Sequence, residues 1–301
     1  MIRRALHRLA EQAATGPSLL RAPVTPLLER FAAGDQLDQA VATALELTDE
    51  GYRVSVERST SLMHPAADPA AVSGDLHAAI DALADAGIGA ACEVIVFPHA
   101  IGVEKDAEQA AEYVRALIAA ASPRGIDVML GAGPPESVTA ALELVRGIRD
   151  EGLPLGITLQ AALRRTESDC AAFADGTVRL VKGAYHVSGG SVFTSAAEVD
   201  KSFVRCVKVL LATSATISLA THDERLIRVV SALVAGYPDR HVELAFFLGR
   251  HTALQERALV QGWPVRVYVP FGPEWFTRLV DAFAERPATV VSALRSIVAN
   301  A

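Results

Sequence analysis

Two basic residues, Arg179 and Lys182, lie in one short apolar run that is followed at once by Gly183. In a β-strand, residues 179, 181 and 183 share one face and Lys182 lies on the other. Near a strand end the pleat relaxes, so both basic side chains can reach a common ligand. Glycine allows a ligand to approach the backbone closely. The segment could therefore line a cofactor, although an Arg/Lys pair at a strand end is more often a surface salt bridge.

The elements that must position this segment alternate regularly along the chain. Eight short apolar runs are each followed by an amphipathic helical pattern, which is typical of parallel βα units. The runs are Tyr52–Val56, Glu93–Phe97, Asp127–Leu130, Gly156–Gln160, Val178–Ala184, Thr216–Ala220, His241–Phe246 and Val265–Val269.

Eight such units in about 250 residues predict an α/β fold, a closed (β/α)8 TIM-like barrel. We expect a single domain over residues 1–301, with residues 1–45 as an N-terminal helical arm and residues 46–301 as the barrel. An open, doubly wound sheet is the main alternative. It usually has fewer strands, and no GxGxxG follows the first strand here.

The bulk composition limits the classes of function. The 301-residue chain is 51% apolar, which allows a large core, and its net charge of -7 argues against a nucleic-acid surface. Its three cysteines are widely spaced and form neither a zinc pattern nor a disulfide framework, so we expect a cytoplasmic protein without a metal. No apolar run is long enough to predict a transmembrane segment.

Several segments resemble the proline dehydrogenase family, in the family's order and approximate spacing. The most specific is RLVKGAY at residues 179–185. The others are RFAAGD (30–35), LQ (159–160) with RT (165–166), ATHD (220–223), YVPFG (268–272) with Trp275, and AERP (284–287). The resemblance covers about residues 28–299. It implies a (β/α)8 barrel that binds FAD non-covalently and oxidises a C–N bond.

The resemblance also assigns residues to the flavin. It implies Arg179 beside the flavin N5, Gln160 at the polar edge of the ring, residues 182–184 along the ribityl chain and pyrophosphate, and Thr221 with His222 at the phosphate and adenosine. A lone histidine such as His222 is more often a core or loop residue, so only the ordered set supports cofactor binding. The full set is Gln160, Arg179, Lys182, Gly183, Ala184, Tyr185, Thr221, His222 and Glu285.

The sequence departs from the family where the substrate carboxylate would bind. The family's two adjacent arginines on the last helix correspond to Asp281 and Ala282. A lysine on the family's second strand corresponds to Phe97, and the aspartate at the end of the third strand that pairs with it corresponds to Gly131. Loss of both partners is coherent, because loss of one would leave a buried charge unpaired. Tyr268 is kept, and by resemblance its hydroxyl would face the substrate.

Arg278 stands where the family has an aromatic residue. On a helix it shares a face with residues 281, 282 and 285. It could enter the substrate pocket, or it could pair with Asp281 at a spacing of i, i+3. The pairing is the simpler expectation.

These observations predict an FAD-dependent oxidoreductase that transfers a hydride from a carbon next to nitrogen to the flavin N5. The expected substrate is a small amine or modified amino acid other than free proline. The electron acceptor is not specified, and the resemblance allows a quinone. One alternative is an L-proline dehydrogenase that makes pyrroline-5-carboxylate, with Arg278 as a displaced carboxylate anchor. Another is a barrel that binds flavin or a small ligand without catalysis.

Overall fold

The computed structural model describes residues 28–60, 68–183 and 190–285, and for residues 135 and 281–285 it describes the backbone only. Most of the predicted N-terminal arm, residues 1–27, lies outside the described residues. So do two residues assigned to the flavin, Ala184 and Tyr185.

Eight parallel strands close into a barrel in chain order, which confirms the predicted fold. The third, fourth and sixth have the predicted bounds, and the others differ by up to three residues at an end. The strands are β1 (Arg53–Arg58), β2 (Cys92–Val96), β3 (Asp127–Leu130), β4 (Gly156–Gln160), β5 (Thr177–Val181), β6 (Thr216–Ala220), β7 (Val242–Phe247) and β8 (Val265–Phe271).

Helices surround this barrel, and the first of them packs against β1 and β8 before the chain enters the sheet. The helix layer is apolar towards the strands, and most helices share one core with the sheet. The last helix instead packs Trp275, Phe276 and Val280 in a second cluster with Leu28 and Phe31. The helices are α1 (Leu37–Asp49), α2 (Pro69–Asp85), α3 (Ala107–Ala121), α4 (Val138–Asp150), α5 (Thr166–Ala172), α6 (Ala196–Leu211), α7 (Glu224–Val234), α8 (Thr252–Val260) and α9 (Trp275–Glu285).

Local sequence signals start several of these helices. Ser195 and Glu198 form a reciprocal capping box at the start of α6. The Asp223 carboxylate accepts hydrogen bonds from the backbone N–H groups of Arg225 and Leu226 at the start of α7. These caps fix where α6 and α7 begin, on the C-terminal side of β5 and β6.

The barrel interior carries buried polar and charged side chains halfway along the strands. A barrel of this type is usually filled with branched apolar residues. Here the inward positions include six buried polar residues: Ser55, Glu93, Arg179, Ser218, Glu243 and Arg266. Within the described part of the chain, no helix is both long and apolar enough to cross a membrane.

Candidate active site at the C-terminal end of the barrel

The C-terminal ends of the strands bring together most of the residues that the sequence singles out. Parallel strands all end on this side, where (β/α)8 enzymes hold their active sites. We call this region the mouth, and its inward residues are Glu57, Phe97, Gly131, Gln160, Phe247 and Tyr268.

Phe97 and Gly131 are in direct contact in the mouth. They follow β2 and β3, which are neighbours in the barrel. A Cβ atom at Gly131 would lie 2.5 Å from Phe97 Cε1 and 2.7 Å from Phe97 Cδ1. The aromatic ring therefore fills the space that a side chain at position 131 would need. The two positions where the sequence departs from the family form one packed unit.

Arg278 on α9 reaches towards this unit. Its guanidinium carbon lies 5.6 Å from the centre of the Phe97 ring, and its Nε lies 4.0 Å from Glu57 Oε1. The structure thus gives Arg278 an acidic neighbour that the sequence did not indicate. The expected pairing with Asp281 remains a prediction, because the side chains of Asp281, Ala282 and Glu285 lie outside the described atoms.

Sequence reasoning missed Glu57, although a signal was present. In RVSVER, Ser55 and Glu57 share one face of β1. The Ser55 hydroxyl donates a 2.6 Å hydrogen bond to Glu93 in the barrel interior. Glu57 therefore also points inwards, one step closer to the mouth. A charged residue on the inner face near the end of the strand was the available clue.

Burial controls the electrostatics around Glu57. The carboxyl is 2% exposed. Burial raises its pKa from 4.5 to about 7, although the positive charge of Arg278 opposes the shift. Nearby, burial and then Arg278 lower the pKa of His99 from 6.5 to about 3, so this histidine is neutral at physiological pH.

Arg179 lies deeper in the barrel than the mouth. Its Nη1 is 2.5 Å from Glu93 Oε1, and its Nε donates a 3.1 Å hydrogen bond to Ser218. Arg266 bonds Glu243 at 2.7 Å and lies 3.6 Å from Glu93. Burial alone would raise the pKa of Glu93, but the two arginines outweigh it and lower that pKa. Arg179 is thus the centre of a buried ion network, and its place beside N5 remains a prediction.

Lys182 leaves the end of β5 towards α6 and α7. Its Nζ forms ion pairs with Asp200 and with Asp223, the latter at 3.3 Å. The sequence did not predict these two carboxylates as partners. The positive charge stands at the C-terminal end of the barrel, as a phosphate contact would require, but it is shared between two acidic groups. Gly183 follows with a φ of 155°.

The remaining assigned residues line neighbouring strand ends. The Gln160 side chain is buried at the end of β4 and donates a 3.0 Å hydrogen bond to the Gly133 carbonyl. Thr221 is buried just after β6. His222 Nε2 accepts a 3.1 Å hydrogen bond from the Phe247 backbone N–H, and the two rings are parallel. Donors and acceptors from three adjacent strands therefore surround one end of the barrel.

Phe247 was also missed from the sequence. It is the last residue of β7 and is 46% exposed as a whole residue. It stands edge-on to Tyr268 with 4.9 Å between ring centres. Tyr268 is inward-facing and half-buried, as its assignment to the substrate side requires. The two rings form an apolar wall of the mouth.

The residues at the ends of β4, β5 and β6 fit an extended cofactor with a phosphate-bearing tail. Gln160 offers an amide, Thr221 a hydroxyl, and Lys182 a cation. The φ of Gly183 lies in a region that side-chain-bearing residues rarely adopt, which favours glycine, and glycine has no side chain to keep a ligand from the backbone. The chemistry of this set matches the amide edge, hydroxyl and phosphate groups of a flavin nucleotide.

Comparisons with known proteins identify relatives that align over most of the chain. The family model for proline dehydrogenase matches residues 40–275. Proline dehydrogenase 1 of Bacillus subtilis subsp. natto is 28% identical over 273 residues, which is 89% of this chain and 90% of that protein. Proline dehydrogenase of Deinococcus radiodurans is 27% identical over 294 residues, covering 95% and 94% of the two chains.

Solved structures share the fold. Proline utilization A (PutA) of Bdellovibrio bacteriovorus, inactivated by N-propargylglycine, superposes with a TM-score of 0.76 at 18% identity over 89% of this chain. PutA of Bradyrhizobium japonicum, as its D778Y variant, gives 0.72 at 17% identity over 94% of the chain. The chain covers only 34% and 33% of the length of those two proteins.

Proposed function

Because the chain belongs to the proline dehydrogenase family, we propose that it is an FAD-dependent oxidoreductase whose substrate is an amine without a free carboxylate. The family implies an oxidoreductase that acts on a CH–NH donor. The proposal adds two points: the cofactor, which the family and the residues at the ends of β4, β5 and β6 support, and the substrate class, which rests on the mouth.

The contact between Phe97 and Gly131 carries the substrate part of the proposal. By the resemblance these positions hold a lysine and an aspartate, whereas here the Phe97 ring fills the space that a side chain at 131 would need. The mouth is therefore more apolar on the β2–β3 side. An Arg–carboxylate contact is strong and needs a guanidinium free to form it. Arg278 instead lies 4.0 Å from the Glu57 carboxylate.

The residues of the mouth and of the neighbouring strand ends divide cofactor binding and substrate binding between them. FAD, when bound, supplies the hydride acceptor. Gln160 and Lys182 hold its ring edge and phosphates, with Thr221 and His222 along the adenosine side. Phe247 and Tyr268 form an apolar wall that packs against the substrate and excludes water. Arg179 keeps a positive charge below the ring, where it favours the electron-rich reduced state.

Two further parts of the proposal rest on the family alone. We expect the cofactor to be held non-covalently, and a quinone is the electron acceptor that the resemblance allows. We also expect the protein to act in the cytoplasm. The substrate is a small molecule, since the mouth is confined by the ends of the strands.

L-Proline oxidation is the second candidate function. It has specific support, because the relatives named above are proline dehydrogenases and because Arg278 reaches the mouth. In that case Arg278 would have to release Glu57 and bind the proline carboxylate. Ordinary efficiency with L-proline would favour this candidate.

Anaerobic mixing of the purified protein with a panel of amines, while the flavin spectrum is recorded, tests the proposal. We expect a yellow protein that releases FAD on heating or acid treatment and whose flavin is bleached by carboxylate-free amines. A colourless protein that fails to bind added FAD would refute the cofactor part. A flavin that no amine reduces would favour a non-catalytic barrel.

A further inference from the structure

The Glu57 carboxylate is buried in the mouth without full hydrogen bonding. Its Oε1 makes no hydrogen bond with any residue that the structure describes, and the Arg278 Nε, at 4.0 Å, is beyond hydrogen-bond distance. A buried carboxylate oxygen without a donor is costly, because the charge has left water without compensation. Such a group is expected to have a donor in the functional state.

Among the described residues, no neighbouring donor is in hydrogen-bond geometry with Oε1. The Arg58 guanidinium is held elsewhere, by Glu274 at 2.9 Å and by Asp75 at 3.0 Å. The His99 ring lies 3.1 Å from the Thr60 hydroxyl, and its lowered pKa leaves it neutral, so it brings no positive charge to offset the negative charge of Glu57. The Ser59 hydroxyl lies close enough to lower the pKa of Glu57, but it is not in hydrogen-bond geometry with Oε1. The Phe97 ring, over which the Arg278 guanidinium lies, is apolar.

We infer that Glu57 binds the substrate nitrogen: Oε1 accepts a hydrogen bond from the N–H of the amine and takes up the proton of its ammonium form. This inference rests on the proposed function and names the group that selects its substrate class. The N–H bond breaks, an O–H bond forms on Glu57, and the amine keeps its electron pair. Hydride loss from the adjacent carbon requires that free pair.

Two properties of the site agree with this role. A carboxyl whose pKa is raised to about 7 can exchange a proton near neutral pH, whereas an ordinary glutamate cannot. Charge also matches, because an ammonium beside Glu57 and Arg278 leaves one net positive charge, which the aromatic rings of Phe97 and Tyr268 tolerate. A free carboxylate would instead be placed next to Glu57 and repelled.

Calorimetric binding of two complementary probes to the flavin-loaded protein tests this inference. Pyrrolidine carries the amine without a carboxylate, and cyclopentanecarboxylate carries the carboxylate without an amine. We expect the unmodified protein to prefer pyrrolidine. Glu57→Gln should weaken pyrrolidine binding roughly tenfold to a hundredfold, since a charge-assisted hydrogen bond is lost. Glu57→Asp, which keeps the charge on a shorter side chain, should retain part of the affinity.

Glu274→Gln is the matched control, because it removes a carboxylate at the same end of the barrel that is engaged by Arg58. It should leave pyrrolidine binding unchanged. Unchanged pyrrolidine binding in Glu57→Gln, no pyrrolidine binding by the unmodified protein, or a preference for cyclopentanecarboxylate would each overturn the inference. Failure of every amine to reduce the flavin, with Glu57-dependent pyrrolidine binding intact, would instead refute the proposed function.

Discussion

Phe97 and Gly131 fit together so closely that a Cβ atom at Gly131 would lie 2.5 Å from Phe97 Cε1. Real Cβ atoms essentially never approach another atom so closely, so a side chain at 131 requires the ring to move. The ring is buried and already lies beneath Arg278. A larger residue at 131 is therefore compatible only with a smaller or displaced residue at 97. This agrees with the sequence, in which the family's lysine and aspartate are both replaced.

Gly131→Ala should destabilise the protein by about 1–3 kcal/mol, because overpacking a filled site forces side chains or backbone to shift. The free energy of unfolding in urea measures this. Gly147→Ala is the control: Gly147 lies within α4 and a Cβ there meets nothing within 4 Å, so alanine should be neutral or slightly stabilising. Equal effects of the two changes would contradict the close fit.

Gly131→Asp should be more harmful alone than in combination with Phe97→Lys, because lysine removes the ring and pairs with the new carboxylate. We expect a coupling free energy of about 1–3 kcal/mol from a double-mutant cycle. Additive effects of the two substitutions would mean that positions 97 and 131 are independent, which would contradict a coupled change of the two residues.

The barrel and the Phe97–Gly131 contact could be predicted from the sequence, whereas the contact between Glu57 and Arg278 could not. Periodicity and turn residues are local signals, and residues that follow neighbouring parallel strands must meet at the same end of the sheet. Glu57 and Arg278 lie in the first strand and the last helix. Their meeting depends on barrel closure and on the side-chain conformation of a long arginine, which no local pattern specifies.

The depth of Arg179 was also beyond the sequence. A strand pattern indicates the face on which a residue lies, but the direction of a long side chain depends on its partners. Arg179 forms an ion pair with Glu93 in the barrel interior. The sequence predicted Glu93 as part of an apolar strand and gave it no role as an ion-pair partner. Lys182 illustrates the same point, because its carboxylate partners, Asp200 and Asp223, come from α6 and the start of α7.

Glu57→Gln should make the protein relatively more stable as pH rises. Below the unfolded pKa of 4.5 both states are protonated; between 4.5 and about 7 the unfolded chain loses the proton that the folded protein keeps. The unmodified protein therefore loses on the order of 3 kcal/mol of stability across this range, and glutamine does not. Unfolding free energies of both proteins between pH 5 and 8 measure the difference. A difference in unfolding free energy between the two proteins that does not change with pH would contradict the raised pKa of Glu57.

Glu93→Gln should be strongly destabilising, by about 3–5 kcal/mol, because it leaves Arg179 and Arg266 buried with less compensating charge. Thermal or urea unfolding measures the loss. Glu151→Gln offers a comparison, since Glu151 pairs with Arg115 on the surface, where solvent screens the pair. It should barely change stability. A small effect of Glu93→Gln would show that the interior network contributes little to the fold.

The double change Asp281→Arg with Ala282→Arg should increase the rate of flavin reduction by L-proline, because it restores the two adjacent positive charges that the resemblance places on the last helix. Stopped-flow reduction under anaerobic conditions measures the gain. Asp281→Asn with Ala282→Gln is the control, since it removes the negative charge without adding a guanidinium. An equal gain in the control would attribute the effect to charge removal alone.

The most direct test of the altered substrate site compares L-proline with L-prolinamide, which has the same ring and the same C–N bond but no carboxylate charge. Removal of one charged contact to a carboxylate costs about 2–5 kcal/mol, so the loss of two corresponds to roughly 10³-fold or more in efficiency. The measurement is kcat/KM for both compounds with the unmodified, FAD-loaded protein. We expect turnover of L-prolinamide and very slow turnover of L-proline, whereas efficient oxidation of L-proline would contradict the proposed loss of the carboxylate site.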